Sequence, residues 1–171
     1  MVTTLEEILN CEEFQKLRGI GGHKKFHLEG NAYVHTMMVI EEAKKMFPGD
    51  DLMIRVAALH DIGKIYTSIC NGPDDWSYPD HSIAGSLKGI LAKFISLQDE
   101  DFEKIQWYIR NHIKPLFWNA QNFGVVEMLQ IDDSAPYGCS LHKLARLAVC
   151  DLRGSISVED QTELINFLMG L

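Results

Sequence analysis

Cysteine is scarce in this 171-residue sequence and poorly spaced for structural work. The four thiols, Cys11, Cys70, Cys139 and Cys150, include no CxxC pair. They indicate neither a disulfide framework nor a thiolate zinc site, and scattered thiols fit a reducing compartment. Basic residues are in the minority, with 16 Lys and Arg against 24 Asp and Glu and a formal net charge of −8. A nucleic-acid backbone needs a basic face, so long nucleic acid is disfavoured as a partner. A small phosphorylated ligand is not disfavoured, because bound cations can supply local positive charge. No apolar run approaches the roughly 18 residues that a membrane span needs. The N-terminal MVTTLEEILN lacks the basic-then-apolar pattern of a signal peptide. The expected setting is soluble and cytoplasmic, with no membrane partner.

What remains is ordinary globular material, 46% hydrophobic and 23% charged, which argues against a disordered chain. The length predicts one domain over residues 1–171. The texture is helical throughout. Thr4 with Glu7 makes a capping-box pattern ahead of Leu5, Ile8 and Leu9. Four glycines between Arg18 and Gly30 mark a loop. Asn31 is placed to cap a helix that runs towards Phe47 and stops at Pro48-Gly49, and Asp50 to cap one through Leu52, Val56 and Leu59 that Gly63 ends. Residues 71–80, NGPDDWSYPD, read as a loop. Further helices are expected over about 82–95, over 101–113 with Pro115 helping to end it, over 121–131, and from a Ser140 cap to Leu152. Ser157 and Asp160 would box a last one. No alternating strand of useful length, repeat or linker is visible. The expected fold is all-α, a bundle of about seven helices.

Several polar residues sit where apolar ones should. His60 and Asp61 end the most apolar segment of the chain, after Ile54, Val56, Ala57, Ala58 and Leu59. Asp151 falls four residues after Leu147 and seven after Leu144, on the core stripe of its helix. His112 comes three after Ile109 and seven after Ile105; His35 lies inside YVHTMMVI; His81 opens a helix after the proline loop. Singly, each histidine reads more readily as a core or surface residue than as a ligand. Together, four histidines and two aspartates recur at helix ends or core stripes of five helices. A buried charge is costly unless paired or bound to a metal, and helical bundles build metal sites in this way. Nitrogen and carboxylate ligands without thiolate suit Mn, Fe, Ni, Co, Zn or Mg. Two ions a few ångströms apart would need about this many ligands, one carboxylate bridging.

The ordered set His35, His60-Asp61, Asp151 resembles the H…HD…D signature of the HD-domain superfamily of metal-dependent phosphohydrolases. The flanking words are similar to the HD domain of bacterial CCA-adding tRNA nucleotidyltransferases. EGNAYVHTMMV resembles its first motif, HDIGK its second, DHSIAGS its H-x-x-x-G motif, NHI its later histidine and CDLRGS its A-D-x-R-G motif. The similarity runs from about Gly22 to Ser155. It implies an all-α HD domain in which His35, His60, Asp61 and Asp151 hold a first divalent cation. Asp61 would bridge to a second, held also by His81 and His112. The nucleotidyltransferase domain has no room in 171 residues, so the tRNA-repair context is not carried over.

The implied reaction is hydrolysis of a nucleotide-like phosphate ester, a phosphomonoester or a 2′,3′-cyclic phosphodiester, by a water that the cations activate. Asp61 and Lys64 would be the catalytic residues, with Lys64 facing the substrate phosphate. Arg153 matches the arginine of the last motif and would grip a second phosphate edge; an ion pair with Asp151 or an exposed acid stands level with that role. His27 and Glu29 precede the first motif, where related domains carry substrate-facing polar residues. Trp76 and Tyr78 either stack on a base or pack as core or lid. Some HD-domain proteins are di-iron oxygenases with the same ligand order, so oxygenase chemistry and a nucleotide-binding sensor stand as alternatives.

Overall fold

The computed structural model describes residues 2–171 except Lys24, Phe26, Asp74 and residues 119–124. The fold is all-α. Its helices are α1 (Leu5–Asn10), α2 (Glu12–Gln15), α3 (Ala32–Met46), α4 (Asp51–Leu59), α5 (Lys64–Thr67), α6 (His81–Ser86), α7 (Lys88–Leu91), α8 (Phe102–Asn111), α9 (Val125–Asp133), α10 (Leu141–Arg153) and α11 (Thr162–Met169). Short 3-10 turns occupy Lys16–Gly19 and Lys114–Phe117, and a two-stranded hairpin pairs β1 (Ile69–Gly72) with β2 (Asp75–Ser77). Eight of the described helices have six or more residues, against the seven or so expected. No described helix is long and apolar enough to cross a membrane.

Local chemistry sets the helix starts. Thr4 and Glu7 form the reciprocal capping box, Thr4 N donating to the Glu7 carboxylate at 2.7 Å and Glu7 N to the Thr4 hydroxyl at 3.2 Å. The side chains of Asn31, Asp50 and Ser140 accept from the backbone N–H of Val34, Met53 and Lys143, each satisfying a donor that the first turn leaves unpaired. Burial then assembles the helices. α3 packs on α4 and α10, α8 on α4 and α6, and α11 on α10. Val56, Ala57, Ala58 and Leu59 of α4 are completely buried at the centre. Each large side chain so buried contributes about 1.5–3 kcal/mol.

Four details differ from the sequence expectation. First, the loop read over 71–80 begins as the hairpin, whose arms of four and three residues are too short to show period-two alternation. Trp76 anchors it, because a side chain at Gly21 would collide with the Trp76 indole. Second, the helix expected over 82–95 breaks at Leu87, where ψ is 130°. There Ser86 Oγ donates to the Ile83 carbonyl at 2.7 Å, the local competition with helix bonding that serine offers. Third, Gly63 does not end α4. The helix stops at Leu59 and a tight turn over 60–63 leads into α5. Fourth, Ser157 and Asp160 form no capping box. Ser157 Oγ instead donates to the Lys25 carbonyl, and α11 begins at Thr162, whose N–H donates to Asp160. Residues 121–124 of the helix expected over 121–131 lie outside the described residues.

Candidate metal centre

Five helices bring the six sequence-identified ligand candidates together. His35 comes from the first half of α3, His60 and Asp61 from the end of α4, and His81 from the first residue of α6. His112 caps α8, and Asp151 lies in the last turn of α10. Two glycine contacts permit this. A Cβ at Gly154 would run into Val39 of α3, so glycine lets the end of α10 close on α3. A Cβ at Gly63 would strike the His81 carbonyl, and one at Gly85 would crowd the Gly63 backbone. The H-x-x-x-G spacing of His81 and Gly85 thus has a packing cause. It seats α6 on the turn that carries Asp61.

The hydrogen bonds of the histidines fix which nitrogen faces inward. Nδ1 of His60, His81 and His112 donates to the carbonyl three residues earlier: Ala57 at 2.8 Å, Tyr78 at 2.9 Å and Ile109 at 2.7 Å. A carbonyl can only accept, so Nδ1 carries the proton and Nε2 of the neutral ring presents a lone pair. His35 Nδ1 lies 3.1 Å from Glu29 Oε1 and 3.3 Å from the Gly154 carbonyl, again leaving Nε2 inward.

The four Nε2 atoms meet two carboxylates. Asp61 Oδ2 is 3.4 Å from His35 Nε2 and 3.3 Å from His60 Nε2. Its Oδ1 is 3.3 Å from His81 Nε2 and 3.8 Å from His112 Nε2. Asp151 Oδ1 is 3.0 Å from His35 Nε2 and 3.8 Å from His60 Nε2. Two groups result, His35–His60–Asp151 and Asp61–His81–His112, with the donor atoms of each within 4.8 Å of one another. Asp61 stands between them, one oxygen towards each.

The electrostatics demand a positive charge here. The buried Nε2 atoms of His35 and His60 have no hydrogen-bond partner among the described residues. His81 Nε2 and His112 Nε2 face each other at 3.3 Å, a spacing that a shared proton or a cation would relieve. Burial pushes the His112 ring down to about 3, with His60 and His81 adding to the effect, so His112 is neutral. Burial would raise Asp61, but His60 and Lys64 hold it well below the usual carboxylate range. Asp151 is likewise held down, by His35. Burial opposes a charged His35, yet Asp151 and Glu29 outweigh it and raise the ring to about 9. Without a cation, a proton therefore takes that place. Inward-facing Nε2 atoms and largely buried carboxylates are what imidazole–carboxylate cation sites require, and the donor set fits a divalent ion.

The other candidate residues separate. Lys64 is buried, not solvated. Its Nζ is 2.6 Å from Asp61 Oδ2 and 4.5 Å over the Tyr78 ring. Glu29 has a side chain only 1% exposed, lodged between His27 and His35, the three forming a further close group. Arg153 is exposed on α10, and the acid beside it, Asp151, faces His35 and His60. The Tyr78 hydroxyl donates to the Gly21 carbonyl, tying the chain just after the hairpin to the glycine-rich loop ahead of α3. A cavity of about 440 Å³ opens beside Asp151 and His27, walled by Leu116, Phe117, Leu152 and Leu164, with Glu159 and Asp160 at one side. Sequence reading missed this cavity. Its lining is gathered from segments as far apart as His27 and Leu164, and only the 150–155 stretch belongs to a motif.

Comparison with known proteins gives a distant similarity. The chain resembles the proteins described as "Multifunctional CCA protein" of Stenotrophomonas maltophilia strains K279a and R551-3. Each is 29% identical over 157 residues, covering 86% of this chain and 36% of the relative. The chain thus spans about a third of the length of the curated relatives it matches. No family model matches the chain, and no solved structure gives a significant match.

Proposed function

We propose that this chain is a metal-dependent phosphohydrolase of the HD-domain type, one domain over residues 1–171, acting in the cytoplasm. Its substrate class is a small nucleotide-like phosphate ester, either a phosphomonoester or a 2′,3′-cyclic phosphodiester. The observation that carries the proposal is the position of Asp61, with one oxygen towards His35 and His60 and the other towards His81 and His112. Similarity to the multifunctional CCA proteins supports the same reading.

In this reading His35, His60, Asp61 and Asp151 hold one divalent cation, and Asp61, His81 and His112 hold a second. Bound divalent cations bring a water to a reactive, deprotonated state near neutral pH and offset charge on phosphoryl oxygens. The chain does the rest. The carbonyls of Ala57, Tyr78 and Ile109 keep three imidazoles in one tautomer. Lys64 keeps its ammonium at the Asp61 carboxylate, where it meets the developing phosphoryl charge at no reorganisation cost. The Tyr78 ring shields that ammonium from water. The cavity beside Asp151 takes the organic part of the substrate. Among the described residues no lysine or arginine lines it, so it suits a single uncharged moiety better than a run of phosphates or a long nucleic acid. Arg153, His27 and Glu29 are further substrate-binding candidates.

The test is reconstitution. Metal-stripped protein is loaded anaerobically with Mn, Fe, Ni, Co, Zn or Mg and offered nucleoside monophosphates and 2′,3′-cyclic nucleotides, with Asp61→Ala as control. Hydrolysis by wild type, lost together with metal in the variant, is the expected result. Iron-specific oxygen consumption, or a ligand-induced thermal shift without turnover, would replace the hydrolase with an oxygenase or a sensor.

A further inference from the structure

The four histidines of the cluster are not held alike. His60, His81 and His112 each donate Nδ1–H to a neutral backbone carbonyl three residues earlier. His35 Nδ1 also has a backbone carbonyl, Gly154 O at 3.3 Å, but it alone adds a carboxylate at that nitrogen, with Glu29 Oε1 at 3.1 Å. The same oxygen lies 2.9 Å from His27 Nδ1, and Glu29 Oε2 accepts from the Ile156 N–H at 3.0 Å. Both oxygens of a 1%-exposed side chain are therefore engaged by donors of the protein itself. The backbone beside it is also tied down. Leu28 N donates to Ile156 O at 2.9 Å and Val158 N to Lys25 O at 3.1 Å, fastening the 22–30 loop to the segment that follows α10 and Asp151.

We infer that Glu29 is a positioning residue for the cation site formed by His35, His60 and Asp151. Its carboxylate fixes the His35 ring with Nε2 towards Asp151 and makes that nitrogen a stronger donor than its three counterparts. The inference rests on reading the cluster as a metal centre. A carboxylate on the far nitrogen of a ligating imidazole raises its basicity, and losing such a partner costs about 10–100-fold in metal affinity. His27 is the outer support. It shares Glu29 Oε1 and lines the cavity beside Asp151, so the wall that meets the substrate also braces the ligand.

The experiment is a chelator-competed Co²⁺ titration of the full chain without substrate, with the His35 Nδ1–H resonance followed by NMR. In Glu29→Ala the affinity of one Co²⁺ site falls about 10–100-fold while the other is unchanged, and the His35 proton moves upfield. Glu29→Gln keeps the shape and one acceptor, so its loss is smaller; it carries the test should the alanine variant not fold. Leu28→Ala perturbs the same loop at an exposed position and leaves Co²⁺ binding as in wild type. Wild-type affinity at both sites in both Glu29 variants overturns the assignment while leaving the metal centre intact. Equal weakening by Leu28→Ala overturns it in favour of general loop damage. Wild-type protein that takes up no Co²⁺ overturns the centre and this assignment together.

Discussion

His81 Nε2 and His112 Nε2 face each other at 3.3 Å, one at the start of α6 and the other at the end of α8. Both rings have already given their Nδ1 protons to backbone carbonyls. With His112 held neutral by burial, a positive species joining the pair to Asp61 would favour this close approach. The prediction is a stoichiometry. His112→Ala should bind one divalent ion fewer per chain than wild type by elemental analysis, keep the ion at His35, His60 and Asp151, and lose about 10²-fold or more in turnover. Unchanged metal content would mean that the pair is joined by a proton, and that the centre holds one ion.

Lys64 tests a different part of the same cluster. Its ammonium is buried against Asp61 at 2.6 Å, so it offsets the Asp61 charge away from bulk solvent. Lys64→Met conserves the apolar stem and removes the charge. In the metal-free protein this leaves Asp61 short of a partner, and breaking a buried pair costs about 3–5 kcal/mol. Added metal should recover much of that loss, because a cation replaces the ammonium as counter-charge. Turnover of the loaded variant should fall about 10²-fold with metal content unchanged. Thermal unfolding with and without metal, beside steady-state kinetics, measures both. A variant as active as wild type would reduce Lys64 to a structural counter-ion.

The glycine at 63 makes a prediction about how the site is assembled. A methyl group there would meet the His81 carbonyl and the Gly85 N–H, both backbone atoms that cannot swing aside. Gly63→Ala should destabilise by about 1–3 kcal/mol, the usual cost of overpacking, read as a lower urea midpoint with unchanged slope. It should also displace α6, weakening the ion at Asp61, His81 and His112 more than its neighbour. Equal loss at both ions would mean that the damage spreads beyond this helix contact.

Much of the architecture was legible in local chemistry, and the failures share a cause. Asn31, Asp50 and Ser140 cap the helices expected of them because a cap depends on residues three apart. The six ligand candidates could be picked out because histidine and aspartate on core stripes violate the apolar pattern, and the structure brings those six side chains to one place. The hairpin, the break at Leu87 and the delayed start of α11 were not legible. Each depends on a long-range partner or on a side chain competing with the backbone: Trp76 on Gly21, Ser86 on Ile83, Ser157 on Lys25. Lys64 illustrates the same limit. Its spacing from Asp61 is local, but its burial follows from Tyr78 closing over it.

A final prediction lies away from the centre. Arg55 on α4 donates to Asp99 at 3.0 Å and also to Asp101, at a position where the Arg55 and Asp99 side chains are 3% and 0% exposed. Asp99 also accepts from Thr3 N and Asp101 N, so it ties the N-terminus and the start of α8 to the core. Burial would raise its pKa, but these N–H groups and Arg55 outweigh burial and lower it below its ordinary 3.8. A carboxylate with a depressed folded-state pKa stabilises the protein above its unfolded value, and that contribution is lost as pH falls through the folded value. Stability should therefore be insensitive to this group from pH 7 to about 5 and decline below about 4. Asp99→Asn should lower stability at pH 7 by about 3–5 kcal/mol, since it leaves Arg55 short of its buried partner. The variant should also show a flatter acid limb. Urea unfolding at pH 7, 5, 4 and 3 on both proteins decides it. Parallel pH curves would show that Asp99 does not drive the acid transition.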